Sequence, residues 1–402
     1  MGEAPRHDRW LLVQLPMELR FARSLVSGLS RYAHLHEGRQ IVTTPSAHVV
    51  LDRRDPIAGA VLQPLPDQPE NVAFCRKVEA LGVPRVMIGS LEDYPGEVVL
   101  RADNVAVGRM AAEHLLGLGL RRLAFYGGTG TLFGRDRRAG FEAAASEAGA
   151  EVLTIPVDHS SVSVASPIAP ELFDWLQHCE TPVGLLAQND EAAVHLHTAA
   201  RVADLRCPED VAIVGVDDDE VRCTMTRPAL TSIDTGFDRL GFLAGRLIDR
   251  MSRGQHLEPQ VIALPPVDVI ARGSTDHLGV ADPMVAEALR LLREHAPDPQ
   301  TDVMSIATAI GAARRSLERR FQQALGRSIH KELVRLRMDR ARQRLVQTNE
   351  PIARVAPACG YTNLESFYRT FKRTFGQTPN TCRRQACEGE LEGWLKAGDA
   401  DA

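Results

Sequence analysis

Residues 314–328, RRSLERRFQQALGRS, are echoed by residues 364–378, LESFYRTFKRTFGQT. Set 50 residues apart, Arg319 meets Arg369, Phe321 meets Phe371 and Gly326 meets Gly376. A repeat of this kind implies two copies of one supersecondary unit. In each copy a short apolar segment runs into a glycine, residues 306–310 before Gly311 and 352–359 before Gly360. A second segment follows with apolar residues four apart: Leu317 and Phe321 in the first copy, Phe367, Phe371 and Phe375 in the second. That spacing is one face of a helix, so each copy reads as helix, glycine turn, helix.

The opposite faces carry charge. Arg315, Glu318, Arg319 and Gln322 share one stripe of the first copy, and Glu365, Arg369 and Lys372 one stripe of the second. Arginine can read guanine bidentately in the major groove, and lysine can neutralise phosphate. Between the copies, residues 328–347 read as one long helix that buries Ile329, Leu333, Leu336, Ala341 and Leu345. Such a helix would hold two readers about one DNA turn apart, roughly 34 Å, facing successive major grooves. Two positions weaken the pattern. Ala313 stands where a capping hydroxyl is expected, forgoing about 1 kcal/mol, and Pro357 falls inside the helix before Gly360 at a cost of up to ~3 kcal/mol. The second unit is therefore expected to be kinked or weakly held.

The charge distribution sets this module apart. The chain has 402 residues and a net charge of -5. Residues 1–279 carry 27 basic and 37 acidic side chains, residues 280–385 carry 19 and 10, and residues 386–402 carry 1 and 5. An acidic body, a basic module of net +9 and an acidic tail of net -4 follow from these counts. One end is thus suited to a polyanion and the other to a different partner. A composition of 44% hydrophobic and 25% charged residues excludes a disordered, collagenous or coiled-coil chain. No stretch approaches the roughly 20 apolar residues of a membrane span, and the polar first residues are unlike a signal peptide, so a cytoplasmic protein is expected. Seven cysteines without a C-x-x-C pair indicate buried thiols rather than a disulfide framework or a zinc module.

Through residues 1–277, short apolar runs alternate with longer amphipathic segments. Strands are expected at 10–15, 40–44, 58–63, 85–88, 98–101, 123–126, 152–155, 183–187 and 211–216, with helices between them, among these 21–34, 105–118, 139–148, 192–203 and 237–251. The alternation predicts an α/β domain of two lobes with doubly wound parallel sheets. Ligands of such sheets bind beyond the carboxyl ends of the strands, where Arg137, Asp190 and Asp217 fall. A guanidinium fork and carboxylates can grip vicinal hydroxyls; the two aspartates could equally cap the helices that follow them. The glycine-rich run from Gly128 to Gly134 misses the dinucleotide spacing by one residue and opens on charged side chains. His195 and His197, two apart on a helix, face different ways and do not clamp a metal. No motif for a nucleophile, a metalloprotease or a phosphate loop occurs, so no catalytic residue, cofactor or metal is expected.

The stretches TPVGLLAQNDEAA (181–193), CPEDVAIVGVDDDEV (207–221), RPALTSIDTGFDRLGFLAGRLI (227–248) and DNVAVGRMAAEHLLGLGLRRLAFYGG (103–128), with GRDRRAGF (134–141), resemble the effector-binding domain of LacI/GalR repressors. The resemblance implies the two-lobed fold of periplasmic sugar-binding proteins, with Arg137 and Asp190 on sugar hydroxyls and Asp217 as a third contact. NEPIARVAPACGYTNLESFYRTFKRTFGQTPNTCR (349–383) resembles the AraC/XylS DNA-binding domain. It implies base contacts from Arg315, Glu318 and Arg319 in the first unit and from Asn363, Glu365, Ser366 and Arg369 in the second. The pairing of the two domains is similar to the xylose-operon regulators of that family. It implies a sensor over 1–277, a DNA-binding domain over 280–385 and a tail over 386–402. A transcription regulator, an activator by resemblance, follows as the expectation. Its operator would be double-stranded DNA, its effector xylose or a related sugar, its state a homodimer, and RNA polymerase a possible further partner. The alternative is a sugar- or nucleotide-dependent enzyme fused to a DNA-binding module; an adaptor that binds DNA without any ligand is a third reading. Loops around Glu18, Phe21 and Phe133 are expected to set the fit for the sugar.

Overall fold

Among the described residues, twelve strands and nine helices build two α/β lobes ahead of a helical domain. The strands are β1 (Arg9–Gln14), β2 (Arg39–Thr43), β3 (Ile57–Leu62), β4 (Arg85–Ile88), β5 (Val98–Ala102), β6 (Arg122–Tyr126), β7 (Glu151–Leu153), β8 (Val183–Ala187), β9 (Val211–Val216), β10 (Thr231–Asp234), β11 (Gln260–Leu264) and β12 (Asp268–Ile270). The helices are α1 (Arg20–Leu35), α2 (Ala47–Arg53), α3 (Pro69–Ala80), α4 (Asn104–Gly117), α5 (Leu132–Glu147), α6 (Pro170–His178), α7 (Asp190–Val202), α8 (Glu220–Met225) and α9 (Phe237–Ser252). The structure, a computed structural model, describes all residues except 1–8, 37, 54, 66–67, 90–93, 129–130, 156–168, 277–281, 348–349 and 385–402. The expected acidic tail, Cys387, part of the glycine-rich run and the junction between the expected domains lie outside the described residues.

Each lobe has a six-stranded sheet. The first runs β11-β5-β4-β3-β1-β2 and is parallel throughout; the second runs β12-β10-β9-β8-β6-β7. Its edge strand β12 is antiparallel to β10, a departure from the purely parallel expectation. Strands such as VGLLA and VAIVGV are buried along their whole length because helices cover both faces. The chain passes between the lobes three times: from β5 to α4, from β10 to α9, and from β11 to β12. Strands β10 to β12 were absent from the sequence reading. They are three to five residues long and carry too little periodicity to stand out.

In both lobes the helices flanking the crossings pack at paired glycines. A Cβ on Gly108 of α4 would lie 1.9 Å from the Arg137 carbonyl oxygen, and one on Gly140 of α5 would lie 2.0 Å from that of Val105. Gly28 of α1 and Gly241 of α9 repeat the arrangement, at 1.7 Å from Asp238 O and 1.8 Å from Leu25 O. Backbones this close tolerate no side chain, so the glycines set how α5 is seated and with it where Arg137 begins.

The helical domain comprises α10 (Pro283–His295), α11 (Val303–Ile310), α12 (Arg314–Leu325), α13 (Ile329–Gln347), α14 (Ile352–Ala358), α15 (Leu364–Phe375) and α16 (Pro379–Arg384). The expected repeat is present as α11–α12 and α14–α15, turned by Gly311 and Gly360 at φ 70° and 81°. Each unit has its own core, and α13 supplies both. Ile329 and Leu333 join Leu317 and Phe321 of the first core, while Met338, Ala341 and Leu345 join Phe367 and Phe371 of the second. Leu336, expected in the core, is only partly buried. Pro357 occupies the penultimate position of α14, and Val355, Ala356 and Cys359 around it remain buried. A proline there removes one bond from the last turn of a seven-residue helix rather than breaking a longer one. Arg337 ties the units together, donating to the carbonyl oxygens of Ala296 at 2.8 Å, Asp298 at 2.8 Å and Thr301 at 3.1 Å, with its guanidinium 5.8 Å from the Tyr361 ring centre.

The helical domain also touches the second lobe. Arg342 of α13 donates to the Val267 carbonyl, Arg293 of α10 pairs with Asp276, and between them lies a cleft of about 940 Å³. At its edge His114 of α4 is hydrogen-bonded to the Thr275 hydroxyl at 3.0 Å. Burial, with Arg293 and Arg335 nearby, pushes the His114 imidazole down to about 3.

Candidate functional site

The carboxyl ends of the strands face a cleft of about 680 Å³ between the lobes. Its floor is organised by α4, whose first residue, Asn104, follows the capping Asp103 and is buried. The Asn104 side-chain oxygen accepts from Arg137 Nε at 2.9 Å. Arg137 Nη1 donates to the Gln188 carbonyl and Nη2 to Asp217 Oδ1 at 3.4 Å, and Phe133 lies 5.2 Å from its guanidinium carbon. Three of the five guanidinium N–H groups are thus used by the protein, leaving two for a ligand. At 4% exposure this arginine is desolvated, which presses its pKa down against the pull of Asp217 and Asp190.

The structure brings Arg137, Asp190 and Asp217 together, all on the second lobe. Asp190 is held firmly: Oδ1 accepts from Ser232 Oγ and Oδ2 from the Asp219 amide, both at 2.6 Å. Gly215 makes room for it, since a Cβ there would lie 2.1 Å from Asp190 Oδ1. Burial pushes the Asp190 carboxyl up to about 8. Asp217 has φ 99° and Asp218 φ 50°, left-handed conformations that cost non-glycine residues energy and gather at ligand sites. Burial raises Asp217 as well, with Arg137 opposing. Neither aspartate caps a helix. Asn189 caps α7, accepting from the Ala192 amide at 2.8 Å, and Asp219 caps α8.

The first lobe contributes a wall that includes Arg20, Phe21, Gln63 and Arg101. Phe21 and Phe133, named from the sequence, both line the cleft, whereas Glu18 is not among its lining residues and offers its backbone carbonyl to Arg23 at 2.6 Å. Charged contacts join the lobes across the opening: Arg23 to Asp219 at 3.6 Å, Arg101 to Asp136 at 3.6 Å, and Arg20 to the Asp218 carbonyl at 3.3 Å. Sequence reasoning missed Asn104, Gln188, Asp219 and Arg101. For Asn104 a signal existed, the Asp103–Asn104 pair opening α4, because a polar residue just inside a capped helix next to a crossing is placed toward the cleft. His195 is bonded to Tyr126 at 2.8 Å and His197 is buried, and no group able to hold a metal occurs among the described residues.

On the helical domain, Arg315 and Arg319 of α12 and Glu365 and Arg369 of α15 are exposed, while Glu318 and Ser366 are half-buried. Glu318 pairs with Arg314 at 3.0 Å. Asn363 is exposed and caps α15, accepting from the Ser366 amide at 2.9 Å; Ala313 makes no side-chain cap to α12. The described cysteines are unpaired, four of them buried, and no helix among the described residues is long and apolar enough to cross a membrane.

Residues 112–275 match a periplasmic binding protein-like domain and residues 306–385 a helix-turn-helix domain. The xylose operon regulatory protein of Escherichia coli K12 is 30% identical over 308 residues, covering 75% of this chain and 78% of that protein. Its namesake in Haemophilus influenzae is 28% identical over 318 residues, covering 75% and 79%. The solved structure of the xylose-binding transcription activator xylR superposes with a TM-score of 0.58 at 26% identity, over 93% of this chain and 97% of that one. The complex of the regulator CelR with cellobiose shares the fold of the lobes, at TM-score 0.52 and 23% identity over 67% and 86%.

Proposed function

Because the chain belongs to the family of the xylose operon regulatory proteins, we propose that it is a transcription activator whose grip on an operator is set by xylose or a related small sugar bound between its lobes. Membership makes it a DNA-binding regulator of the AraC/XylS type with a periplasmic-binding-protein-like sensor. In the proposal the sensor spans 1–277 and the DNA-binding domain 280–385, the protein acts as a cytoplasmic homodimer, and activation runs through RNA polymerase. Arg315, Glu318, Arg319, Asn363, Glu365, Ser366 and Arg369 are the proposed DNA-facing residues, and Arg137, Asp190 and Asp217 the proposed effector contacts. The single observation that supports sensing best is Arg137, a buried guanidinium at the cleft floor with two donors left over.

A ligand shifts the lobes only by its difference in affinity for their open and closed arrangements. Contacts from α5 on one side and from Arg20, Phe21 or Gln63 on the other would supply that difference. Duplexes selected from a random pool at fixed salt, then titrated with pentoses and hexoses in a band-shift assay, test the proposal. Failure to enrich any sequence, or enrichment that no sugar alters, would sink it.

A further inference from the structure

The helices α12 and α15 are built alike but present different chemistry at their first turns. At the 50-residue spacing of the repeat, Arg314 and Arg315 of α12 correspond to Leu364 and Glu365 of α15, while Arg319 and Arg369 are the same residue type. In α12, Arg314 engages Glu318 at 3.0 Å, which leaves Arg315 and Arg319 exposed with no acidic partner among the described residues. These two offer DNA donors alone. In α15 the first two residues offer no donor at all. Leu364 is 43% exposed and stands outside the core of its own unit, against which Tyr361, Tyr368 and Phe375 are packed. Glu365 follows it, exposed and without an ion pair among the described residues. The Asn363 cap, at 2.9 Å from the Ser366 amide, fixes where the helix starts and so holds this pair at its tip. Neither side chain is suited to a phosphate: a carboxylate repels it, and leucine has no hydrogen to donate. In the major groove both have a complement, since thymine carries an apolar methyl and cytosine an amine that a carboxylate accepts. The N-terminal residues of a reading helix are the ones that reach base edges.

We propose that Leu364 determines part of the operator sequence: it seats a thymine methyl, and Glu365 beside it accepts from the amine of a cytosine in a neighbouring base pair. The second unit then selects a step that the first, with arginines at both positions, does not. This rests on the reading that α15 enters a major groove, and it adds Leu364 to the DNA-facing residues named above. The leucine contributes by taking apolar surface of both partners out of water, and the carboxylate contributes by rejecting base edges that present only acceptors.

The test starts from duplexes selected out of a random pool by the full-length protein at fixed salt, with a mixture of pentoses and hexoses present. Within the enriched site each thymine is then replaced in turn by deoxyuridine, which lacks only the methyl. At one position the replacement should weaken wild-type binding about fourfold, the worth of one buried methyl, and that cost should vanish in Leu364→Ala. Glu365→Gln should lose about fivefold or more of the preference for cytosine at an adjoining base pair, with melting temperatures showing both variants folded. A site in which no deoxyuridine weakens the wild type, or whose sensitivity to it survives in Leu364→Ala, overturns the methyl contact and leaves DNA reading by α15 in place. Cytosine preference undiminished in Glu365→Gln overturns the second half of the proposal. A pool in which no sequence is enriched overturns the proposal and the DNA-reading assignment with it.

Discussion

Arg342 of α13 donates to the Val267 carbonyl at 2.9 Å, and Val267 in turn donates its amide to Asp234 at 2.8 Å. Val267 lies on the crossing from β11 to β12, and Asp234 closes β10 before the crossing to α9. The helix between the two DNA-binding units is therefore bonded directly to the backbone on which the lobes turn. Removing the bond should separate sensing from DNA binding. Arg342→Ala is expected to keep its affinity for both sugar and operator within about threefold, yet to lose most of the sugar's effect on operator binding. Coupling of this kind is typically worth about 1 to 3 kcal/mol. A variant whose band-shift response to the effector matched the wild type would show that the signal travels elsewhere.

For the DNA face, Arg319→Ala and Arg369→Ala should each weaken operator binding by about 1 to 3 kcal/mol at fixed salt and relax preference at one base. A loss that is the same on specific and unrelated duplexes would instead mark a phosphate contact. Since the residues around Pro357 stay packed, the two losses should be of comparable size. A much milder effect in Arg369→Ala would mean that the second unit is loosely held.

Arg137→Ala should abolish the sugar response and also lower stability, because Asn104, Gln188 and Asp217 lose a shared buried partner. Truncating one member of a buried pair commonly costs about 3 to 5 kcal/mol. Denaturant melts measure the second effect and calorimetry the first. Ligand affinity that survives in the folded variant would exclude Arg137 from the effector site.

The interface between sensor and helical domain should weaken in acid through His114. Unfolded, this imidazole takes up a proton near pH 6.5; folded, only near 3. The unfolded state thus binds more protons across that window, so the contribution is complete above about pH 6.5 and is lost as pH falls, by at most about 1.4 kcal/mol per unit. Asp339 and Asp190, raised to about 6 and about 8, work in the opposite sense from near pH 4 up to those values. The informative quantity is the difference between wild type and His114→Gln, whose stability gap should narrow from pH 7 to pH 5. A gap independent of pH would show that His114 is not held neutral.

Much of this architecture was legible in the residues. Runs such as VGLLA announce buried strands, and the 50-residue echo exposes both DNA-binding units. What escaped depended on information no single segment carries. Leu336 and Met338 exchanged roles because the buried stripe of α13 turns from one core to the other along its length. Asn189 and Asp190 are adjacent and chemically alike; which one caps α7 is decided by where β8 ends, and the structure gives the cap to Asn189. Of the first-lobe wall only Phe21 was legible; Arg20, Gln63 and Arg101 escaped because they converge from three separate places, the start of α1, the residue after β3 and the end of β5.

The sharing of α13 between two cores has a geometric corollary for the DNA. Each residue of an α-helix advances about 1.5 Å and turns about 100°. One residue inserted near Arg337 would swing the second helix-turn-helix unit by that angle while hardly changing its distance from the first, which under the proposed mode of binding would take the two off a common side of a duplex. Phase, more than length, is what this helix measures out.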